Sequence, residues 1–122
     1  MKWVVRIVQA LLTLVFLLAG GMKLSGNPMQ VTAFTEIYGY PVVFMYVVGV
    51  IEVLAAIGLF IGYWKPKVSL YSAGLLALTM AGAVLTHFQA GQGLAESVAA
   101  LILLALALLV FFGYRSSLQT GS

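Results

Sequence analysis

The run SVAALILLALALLVFFGY, from Ser97 to Tyr114, decides the fold class. It sets 18 consecutive uncharged residues between Glu96 and Arg115, most of them Leu, Ala, Val or Phe. Closed into a helix, such a segment spans about 27 Å and satisfies its own backbone polar groups, which is what hydrocarbon demands. Working outward, Val68 to Ala95 is also free of charge, and Glu36 to Lys65 is interrupted only by Glu52. The first stretch, Ile7 to Met22, has Arg6 close enough to snorkel to the interface. These runs predict helices at about 3–24, 42–64, 68–88 and 96–114. The expected fold is all-α, a membrane four-helix bundle formed by one domain over residues 1–122.

Composition agrees with that reading and closes off others. Of the 122 residues 63% are hydrophobic and 7% charged, with a mean hydropathy of +1.12. A soluble domain carries about 25% charged residues, so this chain cannot cover a water-facing surface, and it is far too apolar for disorder. Six basic residues scattered along the chain form no patch, which argues against nucleic acid despite the net charge of +3. Cysteine is absent, which removes disulfides, thiol redox pairs, covalently attached haem and cysteine-ligated clusters. A single histidine, His87, cannot make a bis-histidine haem site, and no metal site is expected.

The charges that remain read as topology signals. Lys2, Arg6, Lys65, Lys67 and Arg115 fall on one side of a four-span chain and Lys23 alone on the other. The positive-inside rule then predicts both termini in the cytoplasm. Trp3, Tyr63, Trp64 and Tyr114 lie at the same helix ends, where aromatic rings prefer the headgroup region. A rival reading takes residues 1–21 as a cleaved leader ending at Ala19-Gly20-Gly21. The full-length apolar run, and glycines suited to close packing, favour a retained helix.

In the first outer loop, Asn27-Pro28 is a helix-start pair, and Val31, Phe34, Ile37 and Tyr38 fall on one helical face before Gly39 and Pro41 stop it. Residues 28–38 fit a short interfacial helix or, equally, an ordered loop. Trp64-Lys65-Pro66-Lys67 reads as a tight turn, and Gln89 to Gly93 as a short Gly-rich one.

Polar residues inside the spans mark candidate sites. Counting at about 1.5 Å per residue from Trp3, Trp64 and Lys67 puts Glu52 and Thr79 roughly 18 Å deep and Thr13 roughly 15 Å deep. Lys23 and His87 belong near the outer interface by the same count. Stripes of small or polar residues accompany them: Gln9, Thr13, Gly20 and Lys23; Gly49, Ala55 and Ala56 around Glu52; Ser72, Thr79, Gly82 and Thr86. The glycines 20, 21, 49, 58, 62 and 82 are expected at helix contacts. Gly58-x-x-x-Gly62 suits packing within the bundle or against a second chain. The fourth span offers no polar group past Ser97 and is expected to pack or face lipid.

Each candidate also has an ordinary explanation. Lys23 can be a snorkelling lysine, His87 a hydrogen-bonded interfacial histidine, and Glu52 a protonated acid bonded to Thr13 or Thr79. The count places Glu52 roughly 13 Å deeper than Lys23, so a direct ion pair would need the second helix to start nearer Tyr46, or an intervening water or ligand.

Three segments carry a resemblance. Ala19-Gly20-Gly21-Met22-Lys23-Leu24 with Gly26-Asn27-Pro28 resembles the end of the first helix in DoxX-like membrane proteins. Residues Gly49 to Gly58 resemble their glutamate-bearing second helix, and Met80 to His87 the close of their third. The resemblance implies a four-helix, multi-pass protein of the cell membrane. It also implies a mixed functional record: the family name comes from a subunit associated with archaeal quinol-linked oxidation, and similar animal proteins act as receptor-assembly chaperones.

Three functions follow. The favoured one is a non-catalytic accessory or assembly subunit that binds another membrane protein or a second copy. An alternative is a quinone-contacting subunit of an oxidoreductase complex, with His87 and Lys23 bonding a quinone carbonyl and Glu52 donating a proton. The third is a proton-coupled transporter using Glu52, although small four-helix exporters carry their acid in the first helix. No catalytic constellation is evident.

Overall fold

The computed structural model describes residues 2–91 and 94–119. Its elements are α1 (Lys2–Leu24), α2 (Pro28–Thr32) continued by a π-helical turn (Ala33–Ile37), α3 (Val42–Ile61), α4 (Pro66–Gln89) and α5 (Leu94–Gln119). Among the described residues there is no strand, and α1, α3, α4 and α5 are each long and apolar enough to cross a membrane. The all-α, four-span expectation is borne out.

Local chemistry sets the boundaries. Helix α3 stops three residues earlier than expected, because Gly62 begins a turn closed by Tyr63 N–H to Phe60 O and Trp64 N–H to Ile61 O. Helix α4 starts earlier, at Pro66, whose fixed φ and missing N–H suit a first helical position. Helix α5 runs one turn and more past Tyr114. Gly91, at φ +69°, ends the α4 helix; residues 92 and 93 of the expected short connection lie outside the described ones.

The segment after α1 is helical rather than a loop. Asn27 Oδ1 accepts from the N–H groups of Met29 (3.0 Å) and Gln30 (3.4 Å), and Pro28 follows it. The π turn then inserts an extra residue into the helical repeat. Phe34 is therefore buried and Tyr38 half-buried, while Ile37, expected on the same face, is exposed. Gly26 and Gly39 bracket the segment at φ +72° and +74°, backbone positions a side chain would strain.

The four spans form a ring in the order α1, α3, α4, α5, each antiparallel to both neighbours, with α1 packed on α3 and α5, and α4 on α3 and α5. We call the end with both termini proximal and the end with α2 distal. The core runs through Leu12, Phe16, Ala56, Leu59, Ala73, Leu76, Ala107 and Val110. Leu18 and Leu78, 70% and 74% exposed, belong to an apolar outer surface of the kind lipid solvates.

Small residues let the backbones approach. A Cβ at Gly20 would lie 2.8 Å from Gly49 O, and one at Gly49 would lie 2.9 Å from Lys23 Cβ, so α1 and α3 meet glycine to glycine. Gly58 and Gly62 receive Ser72 and Ser69 of α4, so this small-residue face is taken up inside the bundle. Gly21 and Gly82 differ from expectation: a Cβ at either meets nothing within 4 Å.

Candidate functional site

The spans carry polar groups in two clusters, one in each half of the bundle. The proximal one centres on Gln9, which is fully buried. Its Nε2 donates to Leu59 O of α3 (2.6 Å) and to Ser69 Oγ of α4 (2.9 Å), while Tyr114 of α5 donates to its Oε1 (2.5 Å). One amide thus joins all four spans. Thr13 belongs here too, its hydroxyl donating to Gln9 O at 2.8 Å. The expectation that the fourth span lacks a polar counterpart is corrected by Tyr114, which read as an interfacial aromatic and instead turns inward.

The distal cluster is an ion pair. Lys23 Nζ lies 2.9 Å from Glu52 Oε1, and the two residues are only 8% and 2% exposed. The roughly 13 Å offset counted along the sequence does not survive folding. Gly20 lies level with Gly49 and Val53, which leaves the Lys23 and Glu52 Cα atoms about 5 Å apart along the bundle. Side chains on a helix lean toward its N-terminus. Because α1 and α3 are antiparallel, Lys23 leans proximally and Glu52 distally, and the remaining gap closes. Glu52 is therefore paired to Lys23; the hydroxyls of Thr13 and Thr79 donate instead to carbonyls of their own helices, Gln9 O and Leu75 O.

Above the pair opens a cavity of about 630 Å³. Phe16, Lys23 and Glu52 form its floor; Thr79, Ala83 and His87 of α4 and Leu103 of α5 form its walls. The α2 segment and the residues after it cover the distal side with Phe34, Tyr38 and Tyr40. This cover is a cluster of rings: Phe34 and Tyr38 stand edge-to-face at 5.3 Å, and Tyr40 and Phe44 lie 4.6 Å apart. Contacts with His87 and Thr86 fasten it to α4. The Tyr38 ring meets His87 edge-on at 5.6 Å, and the Tyr40 and Thr86 hydroxyls are 3.1 Å apart.

Of the five polar candidates, Lys23, Glu52, Thr79 and His87 face this one space, and Thr13 does not. Sequence reading missed the cover, whose aromatic residues counted as an interfacial face. It placed Gln9 in the polar stripe of the first span without making it a candidate, although an amide between Val8 and Ala10 was a signal. Among the described residues no group of three or more His, Cys, Asp or Glu gathers as for a metal ion.

Chemically, the arrangement is a greasy compartment with a charge pair at its base. Burial deprives both ions of water, so the pair holds only while both members are present. Ammonium protons, a carboxylate and an imidazole all reach a ligand-sized volume lined mainly by apolar and aromatic groups, the usual make-up of a small-molecule site.

The fold and this site define a multi-pass helical membrane protein with a buried ion pair beneath a cavity. The chain belongs to the DoxX-like family, whose profile matches residues 7–110. It is 34% identical over 101 residues to a protein of Bacillus subtilis (strain 168) titled "Uncharacterized protein YdgD", a match covering 81% of this chain and 88% of that one. No solved structure matches it.

Proposed function

We propose that the protein is an accessory membrane subunit whose bundle holds a quinone-class ligand in the distal cavity. The observation that carries this reading is the 630 Å³ compartment with Lys23 and Glu52 at its floor and His87 in its wall. A quinone ring needs a flat apolar slot and hydrogen-bond donors for its carbonyls, and the cavity supplies both. The family's association with quinol-linked oxidation supports the same choice. Without cysteine, and with one histidine, the chain depends on a partner subunit for electrons. Its own part is to bind and orient the ring.

The other readings gain less. Gly58 and Gly62, the sequence feature suited to a protein partner, are occupied by α4. The Gln9 junction closes the proximal half, which favours a blind pocket over a transport path. Charge bias supports a cell-membrane protein with cytoplasmic termini and a cavity at the outer half.

The test is purification in native lipid, followed by mass spectrometry of bound small molecules and co-isolated proteins. Quinone should accompany the wild type well above its share of bulk lipid and be lost from Ala83→Trp, which fills the cavity. Equal quinone in both preparations would refute the reading.

A further inference from the structure

A cation and a carboxylate face the same space at the cavity floor. Lys23 Nζ is within ion-pairing distance of Glu52 Oε1, yet among the described residues no donor is aligned on Oε1 to make a hydrogen bond. A buried carboxylate oxygen is ordinarily satisfied by aligned donors. The ammonium, for its part, carries three protons, more than Oε1 can take. An acceptor whose neighbouring ammonium is poorly aligned for a hydrogen bond, and a donor with protons to spare, thus sit side by side under an apolar and aromatic ceiling.

A ligand group that answers both must donate and accept at adjoining positions. A phenolic hydroxyl does so with one oxygen, giving its proton to Glu52 and its lone pair to Lys23. A quinone carbonyl accepts from Lys23 but has nothing to offer Glu52. Charged ligands fare worse, because an organic cation meets Lys23 and a carboxylate meets Glu52. The floor carries no net charge and suits a neutral dipolar head.

We propose that the cavity selects the reduced form of its ligand, a hydroquinone, over the oxidised quinone, with one hydroxyl bridging Lys23 and Glu52. The inference rests on the quinone-class reading above and adds to it the oxidation state recognised. Two bonds of about 2.8 Å meeting at a tetrahedral oxygen would spread Nζ and Oε1 to about 4.5 Å, within reach of two flexible side chains. A hydrogen bond to an ionised partner supports a preference of about tenfold or more. Tenfold tighter binding of the reduced form raises the bound couple's two-electron potential by about 30 mV, so the site would hold a ring in its reduced state.

The experiment measures binding of decylubiquinol and decylubiquinone to the purified chain in lipid nanodiscs, by anaerobic equilibrium dialysis. The quinol should bind at least about tenfold tighter. The double variant Lys23→Met/Glu52→Leu, which strands no charge, should bring the two affinities within about twofold. Equal affinities in the wild type would overturn the inference while leaving the quinone-class reading intact, and this comparison needs no variant to fold. Binding of neither form would overturn both. A double variant that folds and keeps the full preference would remove the ion pair from the explanation.

Discussion

Removing one member of the Lys23–Glu52 pair should damage the protein far more than removing both. At 2.9 Å and an effective dielectric of about 20, the two charges attract by about 6 kcal/mol. Withdrawing each ion from water opposes this by several kcal/mol, so the intact pair is close to neutral in net stability. Lys23→Met leaves a carboxylate that is 2% exposed with no counter-charge at its site, and Glu52→Leu strands an ammonium that is 8% exposed. Each single change should cost about 3–5 kcal/mol, and the double variant less than about 1 kcal/mol. The coupling, several kcal/mol, is what a double-mutant cycle reads. Reversible unfolding of the four proteins in mixed micelles, followed by far-ultraviolet circular dichroism against increasing sodium dodecyl sulfate, supplies the free energies. Single effects that sum to the double effect within about 0.5 kcal/mol would refute the reasoning, because independent sites behave that way.

Gln9→Leu should destabilise by about 1–3 kcal/mol in the same assay, since it leaves the buried Ser69 Oγ and the half-buried Tyr114 hydroxyl without their shared partner; a loss below about 0.5 kcal/mol would show that the junction contributes little. Gly20→Val drives a branched side chain into Gly49 O and Val53 and should cost about 1–3 kcal/mol, whereas Gly21→Ala one residue on meets open space and should be neutral or slightly stabilising. Similar effects at both glycines would mean that α1 and α3 do not meet at Gly20. The cysteine-free background allows a clean topology test: in intact cells a membrane-impermeant maleimide should label Ser25→Cys and leave Lys67→Cys untouched. The reverse pattern would invert the proposed orientation.

Legibility differed between residues for physical reasons. The spans were readable because hydrocarbon imposes a length and a lack of charge that any correct sequence must show locally. The helical start at Asn27-Pro28 was equally local, since a cap acts within three residues. Tyr114 was misread because an aromatic at a helix end has the same local pattern whether it faces headgroups or, as here, a buried amide. Depth counting failed at Lys23 and Glu52 for a related reason: it measures position along one helix and carries neither the register between helices nor the lean of the side chains.

Chain chemistry alone therefore determined that this is an all-α membrane protein of four spans and a member of the DoxX-like family, and that Glu52 is a charge without a topological role. Each of those conclusions depends on residues acting within a segment. Tertiary structure decided what Glu52 does. Glycine-to-glycine contact between α1 and α3 sets the register, antiparallel packing turns Lys23 and Glu52 toward each other, and the folded-back α2 segment roofs the space above them. Such a pair requires two helices and the distance between them, and that distance is a property of packing.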